Sequence, residues 1–507
     1  MKKRLFGLAL AGLGVAGTLA SCGQSGAAPW GKVNNADSKN FVFTVWNDEF
    51  KGFFQKYASD EGYAYNIEKK ADAKAAYDAA VSSGSFHIDG LSCVWLSAPS
   101  DNGQYQDLVD FNVQNQKNNI AKQNYSKVAD IIVAEADYIT KYANSDFTQD
   151  IEALGVTNFD NIYGYTKQAA SDAKGTVKGV SFQCCPSGMI YKRSIAKAVL
   201  GTDKPEEVQA KVDTWEKFDA VAKDMKEKGY YMTACDADTY RVFSNNASSP
   251  WVVNNKLTIP AEIQSWMDQA EKYAGKDGKG YTVTGDVWSG AKTALIKNKY
   301  EEGYKDEGQA FCTFGPAWYY NFCMGAKDFA EGVEGTCKQD GGWAVCKGPQ
   351  GHFWGGTWLL AASGSQHTDS VAKIMNRFIN DEKVCEALIK YEGQFTNNKK
   401  VNKSMADSWE DGSSILAGYS SSTTDFSAWN TGFHGNAFLG GQNDTKMFNE
   451  MADSIKFENA TIYDQLCNEG IQQYFREYLE GTVTKEKALE NFYDSLKVKY
   501  PNLKKGF

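Results

Sequence analysis

Apolar and polar positions alternate in a way that predicts strands and helices in turn. Residues 41–46 form a short aromatic and β-branched run that ends at polar residues, which is typical of a buried strand. Apolar residues then recur with helical spacing over 50–57, and Asp48 stands where it can cap this helix. The chain therefore opens with a strand that leads directly into a helix.

The same alternation continues along the chain. We expect a further strand at 63–67, an alanine-rich helix at 71–81 and a second buried strand at 91–96. Thr214 precedes an amphipathic stretch as a helix cap would. Further helices are predicted around 371–379, at 471–479 and from Thr484 onwards. This order of elements predicts an α/β fold.

The N-terminal pattern predicts secretion. Lys2, Lys3 and Arg4 precede an apolar run over 5–19, which is shorter than the roughly 20 residues a membrane-spanning helix needs. Residues 19–22 resemble a lipobox, which implies cleavage before Cys22 and lipidation of its sulfur. The alternative is an ordinary signal peptide with a chance cysteine. We expect a signal peptide at 1–21, a flexible tether at 22–40 and a lipid-anchored protein on the extracytoplasmic face of the cell membrane.

Composition narrows the functional classes. A chain of 507 residues exceeds what one core usually organises, so two lobes are expected. The formal net charge of −9 disfavours nucleic acid and polyanionic ligands. Aromatic residues make up 13% of the chain, and with abundant Asn and Asp they suit ligands whose rings carry hydroxyl groups. Arginine is scarce beyond the signal, at Arg193, Arg241, Arg377 and Arg476.

Cysteine spacing gives no support to a metal site. No CxxC or CxxH pair occurs, and we expect neither a metal nor a cofactor. Residues 12–17 fit GxGxxG, but they lie inside the apolar signal run, which excludes a dinucleotide site. The other cysteines could form disulfides, as in the cluster Cys312, Cys323, Cys337 and Cys346, or remain buried thiols. Spacing leaves both possibilities open.

Six motifs occur in an order that resembles the family 1 extracellular solute-binding proteins, the lipid-anchored receptors of carbohydrate ABC importers. They lie at 46–50, 146–154, 179–193, 214–218, 308–318 and 347–358. Two departures stand out, because Pro186 follows an unusual Cys184–Cys185 pair and Cys312 replaces the usual residue before Gly315. Ligand preference therefore cannot be copied from a well-known maltose receptor.

The resemblance implies a two-lobed periplasmic-binding-protein-like fold of type II, with crossing segments and a cleft that closes on its ligand. By analogy, lobe one takes 41–145 and 355–405, and lobe two takes 146–354 and 406–507. The implied partners are a small-molecule ligand, expected to be a carbohydrate, and the permease subunits of an ABC importer. We expect a monomer without enzymatic activity.

Candidate ligand contacts lie where predicted strands and turns end. Sugars need flat apolar faces for their rings and convergent polar groups for their hydroxyls. The candidates are Trp46, Asn47, Asp48, Glu49, Trp95, Trp318, Tyr319, Trp354, Gly355, Trp429 and Asn430. A tryptophan can equally belong to the core, and Asp48 or Glu49 can equally serve the helix N-terminus. Trp358 lies within an apolar run and is expected in the core.

Three rival functions remain. A thiaminase-like transferase on this scaffold would need a cysteine nucleophile near the cleft, for which Cys93, Cys184 and Cys185 are the candidates, and a base beside it. Chance pairs among 63 acidic residues could suggest a glycosidase. Acidic residues with tryptophans also suit a polyamine-binding receptor.

Overall fold

The computed structural model describes residues 30–100, 103–275, 280–288, 309–324, 342–408 and 437–507. The predicted lipidation site Cys22 and the candidate contacts Trp429 and Asn430 lie outside these residues. The strands are β1 Asn40–Val45, β2 His87–Ile88, β3 Leu91–Ser97, β4 Ile131–Glu135, β5 Gly179–Cys184, β6 Pro186–Lys192, β7 Tyr231–Thr233, β8 Val252–Val253, β9 Lys256–Leu257, β10 Ala310–Gly315, β11 Trp343–Cys346, β12 His352–Phe353, β13 Thr357–Ala361, β14 Phe395–Thr396 and β15 Lys504–Lys505.

Helices surround these strands. They span Asp48–Tyr57, Asp60–Asn66, Ala73–Ser83, Gln104–Ala121, Ile139–Ala143, Ile151–Leu154, Gly164–Ala169, Arg193–Leu200, Pro205–Val212, Trp215–Glu227, Tyr240–Ser244, Ala261–Ala274, Tyr319–Phe322, Thr368–Asn380, Glu382–Glu392, Lys399–Ser408, Asp444–Ala452, Asp464–Leu479 and Lys485–Lys499. Within the described residues, no helix has the length and apolarity to cross a membrane.

The first lobe is built on a seven-stranded sheet with the order β14-β5-β13-β4-β1-β3-β2. At its centre β1 pairs in parallel with both β3 and β4. Successive residues of β4 face opposite sides, so Ile131 and Val133 join one hydrophobic core and Ile132 and Ala134 join another. A hydrophobic core therefore covers each face of the sheet, which explains why the sequences of its central strands are continuous apolar runs.

The second lobe is built on a smaller sheet with the order β11-β6-β10-β7, to which β12 adds by pairing with β6. A three-stranded sheet β15-β9-β8 packs with the C-terminal helices in a separate core. The predicted α/β architecture with two lobes is confirmed.

Two short crossing segments connect the two main sheets. The chain leaves the first sheet at Cys184 and enters the second at Pro186, and it returns between Phe353 and Thr357. The segments contact each other, because the Trp354 amide donates a hydrogen bond to the Cys185 carbonyl over 3.0 Å. The two crossing segments therefore lie side by side between the lobes.

Most predicted elements are confirmed within a few residues. The first strand and helix, the strand at 91–96 and the helices at 371–379 and 471–479 all form. Thr214 and Thr484 cap their helices by accepting backbone hydrogen bonds from the amides of Lys217 and Lys487, each over 3.2 Å. Trp358 is fully buried, as expected of a core residue.

Three predictions are corrected. Residues 63–67 belong mainly to the helix Asp60–Asn66, because Ser59 caps it by accepting from the Gly62 amide over 3.0 Å. The first lobe also extends beyond residue 145, since Ile151, Val177 and Phe182 lie in its core. These residues precede the first crossing segment, and the β5 strand, which contains Phe182, pairs with β13 and β14.

The expected tether is also shorter than predicted. The Asn35 amide donates to the Gln366 carbonyl over 2.9 Å, and the Val33 amide donates to the Thr368 hydroxyl over 2.9 Å. His367 and Ser38 form a buried side-chain hydrogen bond over 2.9 Å. Residues 33–38 therefore pack on the first lobe.

The described cysteines favour the free-thiol alternative. Cys93, Cys184, Cys185, Cys312, Cys346, Cys385 and Cys467 are free thiols, and burial raises the pKa of each. Cys312 and Cys346, two members of the predicted cluster, are not joined to each other. Cys337 lies outside the described residues.

Candidate ligand-binding cleft

A cavity of about 680 Å³ lies between the two lobes. Side chains from both lobes and residues of the second crossing segment line it. Its volume is within the range of small-molecule binding sites. The cavity is therefore the candidate functional site.

The first lobe contributes an aromatic wall around Trp46. This residue directly follows β1, and its ring contacts Phe50, Tyr105 and Tyr138 at centroid distances of 4.5, 5.4 and 6.3 Å. Trp46 is half-buried, whereas the other three rings are buried. The neighbours thus hold the indole in place while part of its surface faces the cavity.

Strand topology explains why these residues meet. Strands β1 and β4 are parallel neighbours, so the residues that follow them lie at the same edge of the sheet. Trp46, Asn47 and Glu49 follow β1, while Asp137 and Tyr138 follow β4. All five line the cavity.

The second lobe contributes a facing wall of tryptophans. Trp318 and Trp354 pack edge to face at 5.3 Å, and the Trp318 Nε1 donates to the Trp354 carbonyl over 3.3 Å. Trp288 adds a ring 5.8 Å from Trp354 and is 62% exposed. Tyr319 lies behind them, fully buried, with its ring 5.4 Å from Trp354. The wall therefore has exposed ring surface and a fixed support.

Glycines allow the second crossing segment to approach the cavity closely. Gly355 and Gly356 have φ of +80° and +117°, in the left-handed region that favours glycine. A Cβ on Gly356 would lie 2.9 Å from the Trp358 ring, and one on Gly355 would lie 3.4 Å from Trp318 Nε1. The backbone here forms part of the cavity wall because side chains are absent.

An ion pair joins the lobes across the cleft. Arg241 of the second lobe donates from Nη1 and Nη2 to the two carboxylate oxygens of Asp137 in the first, over 2.5 and 2.6 Å. Their side chains are 20% and 22% exposed. The Arg241 guanidinium also lies 6.0 Å from the Trp354 ring centroid. Nearby, Gln106 donates to Gln465 across the lobes over 3.0 Å. The lobes are in direct contact here.

Two glutamates of the cavity wall have raised pKa values. Burial raises the pKa of Glu135 to about 8, helped by the charge of Asp137 and opposed by that of Arg241. Burial also raises the pKa of Glu49 to about 7, with a further contribution from Glu392. A protonated carboxyl both donates and accepts a hydrogen bond. When protonated, the two groups can bind hydroxyl groups, and their raised pKa values reduce the negative charge of the cavity near neutral pH.

Two further polar groups of the wall are unsatisfied. The Tyr138 hydroxyl and the Arg476 Nε are buried and make no hydrogen bond to any described residue. Both residues line the cavity. A buried polar group without a partner costs free energy, so these two atoms are a local cost to stability.

The structure brings together six of the predicted contacts, namely Trp46, Asn47, Glu49, Trp318, Trp354 and Gly355. Asn47 also serves as a helix cap, since its Oδ1 accepts from the Phe50 amide over 3.1 Å. Three others lie away from the lining. Asp48 is exposed in the first helical turn, Tyr319 supports Trp354 from behind, and Trp95 stacks on Phe43 at 4.9 Å in the first core.

Sequence reasoning missed the polar half of the site. Asp137, Tyr138, Arg241 and Arg476 were not among the predicted contacts, although all line the cavity. A signal was present for the first two, because they follow the apolar run 131–134 as Asn47 follows β1. The scarcity of arginine was a second signal, since two of the four arginines beyond the signal lie here.

Comparisons with known proteins agree with this architecture. Residues 101–416 match the family described as bacterial extracellular solute-binding protein. No curated protein matches the chain. The chain is similar to the crystal structure of an extracellular solute-binding protein of family 1, with 16% identity, a TM-score of 0.60 and coverage of 90% of this chain and 98% of that one.

Two similar structures come from bifidobacteria. The galacto-N-biose and lacto-N-biose I-binding protein of Bifidobacterium longum, in complex with lacto-N-biose, is 13% identical with a TM-score of 0.57. An ABC-transporter-associated binding protein of B. animalis subsp. lactis, in complex with β-1,6-galactobiose, is 14% identical with a TM-score of 0.54. Each match covers 93% of this chain and all of the other. The two-lobed periplasmic-binding-protein fold is thereby confirmed.

Proposed function

Since the chain belongs to the family of bacterial extracellular solute-binding proteins, we propose that it is the receptor that captures a carbohydrate and delivers it to an ABC importer. The observation that carries the proposal is the cavity between the lobes, with Trp46 on one wall and Trp318 and Trp354 on the other. Tryptophan rings bind the C–H faces of sugar rings while polar groups bind the hydroxyls. A sugar between these walls would contact both lobes.

The polar groups support a neutral ligand. Asp137 is paired with Arg241, and Asp286 lies 3.8 Å from Arg476. Glu49 and Glu135 have raised pKa values, which reduce the negative charge of the cavity near neutral pH. These groups suit the hydroxyl groups of a neutral ligand. The similar structures from bifidobacteria hold disaccharides, which is consistent with this ligand class.

A thermal-shift screen of the chain from residue 30 onwards tests the proposal. A ligand that binds only the folded state raises the unfolding midpoint. We expect a shift with at least one saccharide from a set including maltose, lacto-N-biose and β-1,6-galactobiose. No shift with any mono- or oligosaccharide would contradict the proposal.

Three variants locate the site. Trp318→Ala and Trp354→Ala should each weaken binding by about 2 kcal/mol, the scale of a buried aromatic anchor. Trp95→Ala is the matched control, because Trp95 is a half-buried tryptophan of the first core that does not line the cavity. It should lower stability and leave affinity unchanged. Equal loss of affinity in all three would place the site elsewhere.

A polyamine is the second candidate ligand, and the carboxylates of the wall favour it. Glu49, Glu135, Asp137, Asp238, Asp286 and Glu469 outnumber Arg241 and Arg476. Spermidine added to the same screen decides between the two. Binding of spermidine that weakens strongly with salt, without binding of saccharides, would favour the polyamine.

The structure gives an enzyme little support. A cysteine nucleophile needs a lowered pKa, whereas burial raises the pKa of Cys93, Cys184 and Cys185. None of the three is among the residues that line the cavity. We therefore propose binding without turnover, which incubation of the purified protein with thiamine or with its bound glycan would test.

We also propose that the receptor is a monomer anchored through a lipid on Cys22. The proposed anchor rests on the lipobox-like residues 19–22. In expressing cells, Cys22→Ser should move the protein from the membrane fraction to the soluble fraction and abolish labelling by a clickable fatty acid. Unchanged fractionation and labelling would contradict the anchor.

A further inference from the structure

Residues 497–507 are basic, in contrast to the protein as a whole. They contain Lys497, Lys499, Lys504 and Lys505 and neither Asp nor Glu, whereas the full chain has a formal net charge of −9. All four lysine side chains are exposed. An exposed surface of opposite sign to the rest of the molecule favours a negatively charged partner.

The fold adds a fifth lysine and brings the five together. In the small sheet, Lys504 of β15 is the partner of Lys256 in β9, and both are exposed. The Tyr493 ring links two others, because the Nζ atoms of Lys497 and Lys505 lie 5.6 and 5.9 Å from its centroid. The basic cluster is thus formed by Lys256, Lys497, Lys499, Lys504 and Lys505.

The charge of the basic cluster is not neutralised by its neighbours. None of its five lysines forms an ion pair with a residue in the described ranges. Of two acidic residues on the adjoining helix, Glu490 is paired with Lys487 over 2.9 Å and Asp494 is exposed. Salt screens exposed charges that lie more than about 10 Å away. The acidic remainder of the protein therefore does not cancel the positive charge at this surface.

Two apolar side chains are exposed among the lysines. Val498 is 87% exposed and Phe507 is 39% exposed, with the Nζ of Lys505 5.4 Å from the Phe507 ring centroid. Lysines interspersed with exposed apolar groups are typical of surfaces that lie on an anionic membrane, because the charges attract the headgroups and the apolar groups enter the interface.

The basic cluster begins on the side of the protein where residue 30 lies. The Trp30 ring centroid is 5.6 Å from the Nζ of Lys117. Asp110 precedes Lys117 by seven residues in the same helix, so it shares the same helix face, about 10 Å away along the axis. Asp110 binds Lys141 over 2.7 Å. Burial lowers the pKa of Lys141, and the nearby charge of Lys499 adds to this effect. Trp30 and Lys499 therefore lie beside one helix face.

The length of chain before Trp30 is compatible with membrane contact. Cys22, the proposed lipidation site, precedes Trp30 by eight residues. Eight residues span at most about 29 Å when fully extended. A lipid on Cys22 would therefore keep this side of the protein close to the headgroups.

We infer that the basic cluster docks the receptor on the anionic lipid headgroups of the membrane that holds it, and so fixes the orientation of the two lobes on their tether. The inference goes beyond the proposed function and takes its membrane from the proposed anchor at Cys22. The five lysines do not line the cleft, so docking and ligand binding use separate surfaces.

Vesicle sedimentation tests the basic cluster apart from the lipid. The chain from residue 22 onwards, carrying Cys22→Ser, is mixed with vesicles of phosphatidylcholine or of equal parts phosphatidylcholine and phosphatidylglycerol. We expect binding to the anionic vesicles only, and this binding should weaken as the salt concentration rises.

Substitution of the lysines tests their contribution. Each lysine near an anionic surface contributes about fivefold, so the combined change Lys499→Gln, Lys504→Gln and Lys505→Gln should weaken vesicle binding on the order of 100-fold. Lys497→Gln with Lys499→Gln, which leaves β15 intact, should weaken it by about 25-fold and serves if the triple variant unfolds.

A second triple variant is the matched control. Lys174, Lys223 and Lys228 are exposed, lie outside the basic cluster and form no ion pair with a described residue. Their combined replacement by Gln removes the same net charge and should weaken vesicle binding by less than about twofold. Both triple variants should keep the wild-type unfolding midpoint, because the substituted side chains are exposed.

The outcomes identify the partner. Equal binding to both kinds of vesicle, no binding to either, or equal losses in the two triple variants would overturn membrane docking. Displacement from the vesicles by millimolar glycerol 3-phosphate would assign the basic cluster to a soluble phosphate ester instead. Self-association in sedimentation velocity that only the first triple variant abolishes, without vesicle binding, would assign it to a second copy of the chain. Saccharide binding should be unchanged in every variant, so this test is independent of the proposed function.

Discussion

Replacing Asp137 with Asn tests how the two lobes are held together. The substitution keeps the shape of the side chain and one acceptor oxygen but removes the charge that faces the Arg241 guanidinium. In the wild-type protein this guanidinium donates two hydrogen bonds, over 2.5 and 2.6 Å, to a carboxylate of the opposite lobe. The variant therefore keeps about one of the two bonds and leaves the arginine without its counter-ion.

The expected loss of stability follows from the solvent exposure of the two side chains. Breaking a fully buried ion pair costs about 3–5 kcal/mol, and an exposed pair contributes at most about 1 kcal/mol. The two side chains are 22% and 20% exposed, which places this pair between those limits. We expect a loss of about 2 kcal/mol in the stability of the lobe-to-lobe contact, equivalent to roughly a 30-fold change in an equilibrium constant.

A double-mutant cycle provides the assay. Asp137→Asn, Arg241→Gln and the double variant are compared by denaturant unfolding, and small-angle X-ray scattering reports the separation of the lobes. The exposed pair Lys74 and Asp78 is the control, since it lies within one helix and its side chains are 62% and 56% exposed. Its coupling energy should be below about 1 kcal/mol. Arg241→Lys retains the charge if Arg241→Gln unfolds.

The refuting result is specific. A coupling energy between Asp137 and Arg241 no larger than that of the control pair, together with unchanged scattering, would show that the ion pair does not hold the lobes together. High salt should weaken the control pair more than the Asp137 pair, because water and ions reach it more easily.

Three further predictions concern stability. Trp358→Ala should lower the free energy of unfolding by about 3–5 kcal/mol, because a fully buried indole and its hydrogen bond to the Thr166 carbonyl are lost. A denaturant midpoint equal to that of the wild-type protein would contradict the core position of Trp358. Gly356→Ala should destabilise the crossing segment, because φ is +117° and the new methyl group meets Trp358; an unchanged melting temperature would show that the segment can adapt. In the folded protein the pKa of Glu135 is raised to about 8, from an ordinary value of 4.5, so its contribution to stability is full below pH 4.5 and is lost as the pH rises to 8. Glu135→Gln should therefore flatten the pH profile of the unfolding free energy between these two values. A profile identical to that of the wild-type protein would count against the raised pKa.

Local patterns were sufficient for the elements and for the fold class. The apolar run 41–46 specifies a buried strand and the spacing over 50–57 a helix because burial on a sheet imposes these periods. The strand expected at 63–67 was wrong for the same local reason, since the cap at Ser59 was not recognised. Residues that follow β1 could be placed in the cleft because open α/β sheets bind their ligands at the carboxyl ends of the strands.

Contacts between distant parts of the chain were decided by the tertiary structure. Trp46 and Trp95 both lie at or near the carboxyl ends of neighbouring parallel strands, yet Trp46 faces the cavity and Trp95 stacks on Phe43 in the core. The direction in which a side chain faces depends on the strand and the helix that pack beside it. The sequence of one strand does not specify these neighbours. The pairing of Asp137 with Arg241 joins residues that lie 104 positions apart on different lobes.

The sequence by itself thus determined the succession of strands and helices, the two-lobed fold and part of the aromatic lining, because each is encoded in periodicity, caps and short motifs. Only the tertiary structure decided the charges of the cleft and the contact between the lobes. These features arise where the crossing segments bring two separately folded sheets together, so no local stretch of sequence contains them.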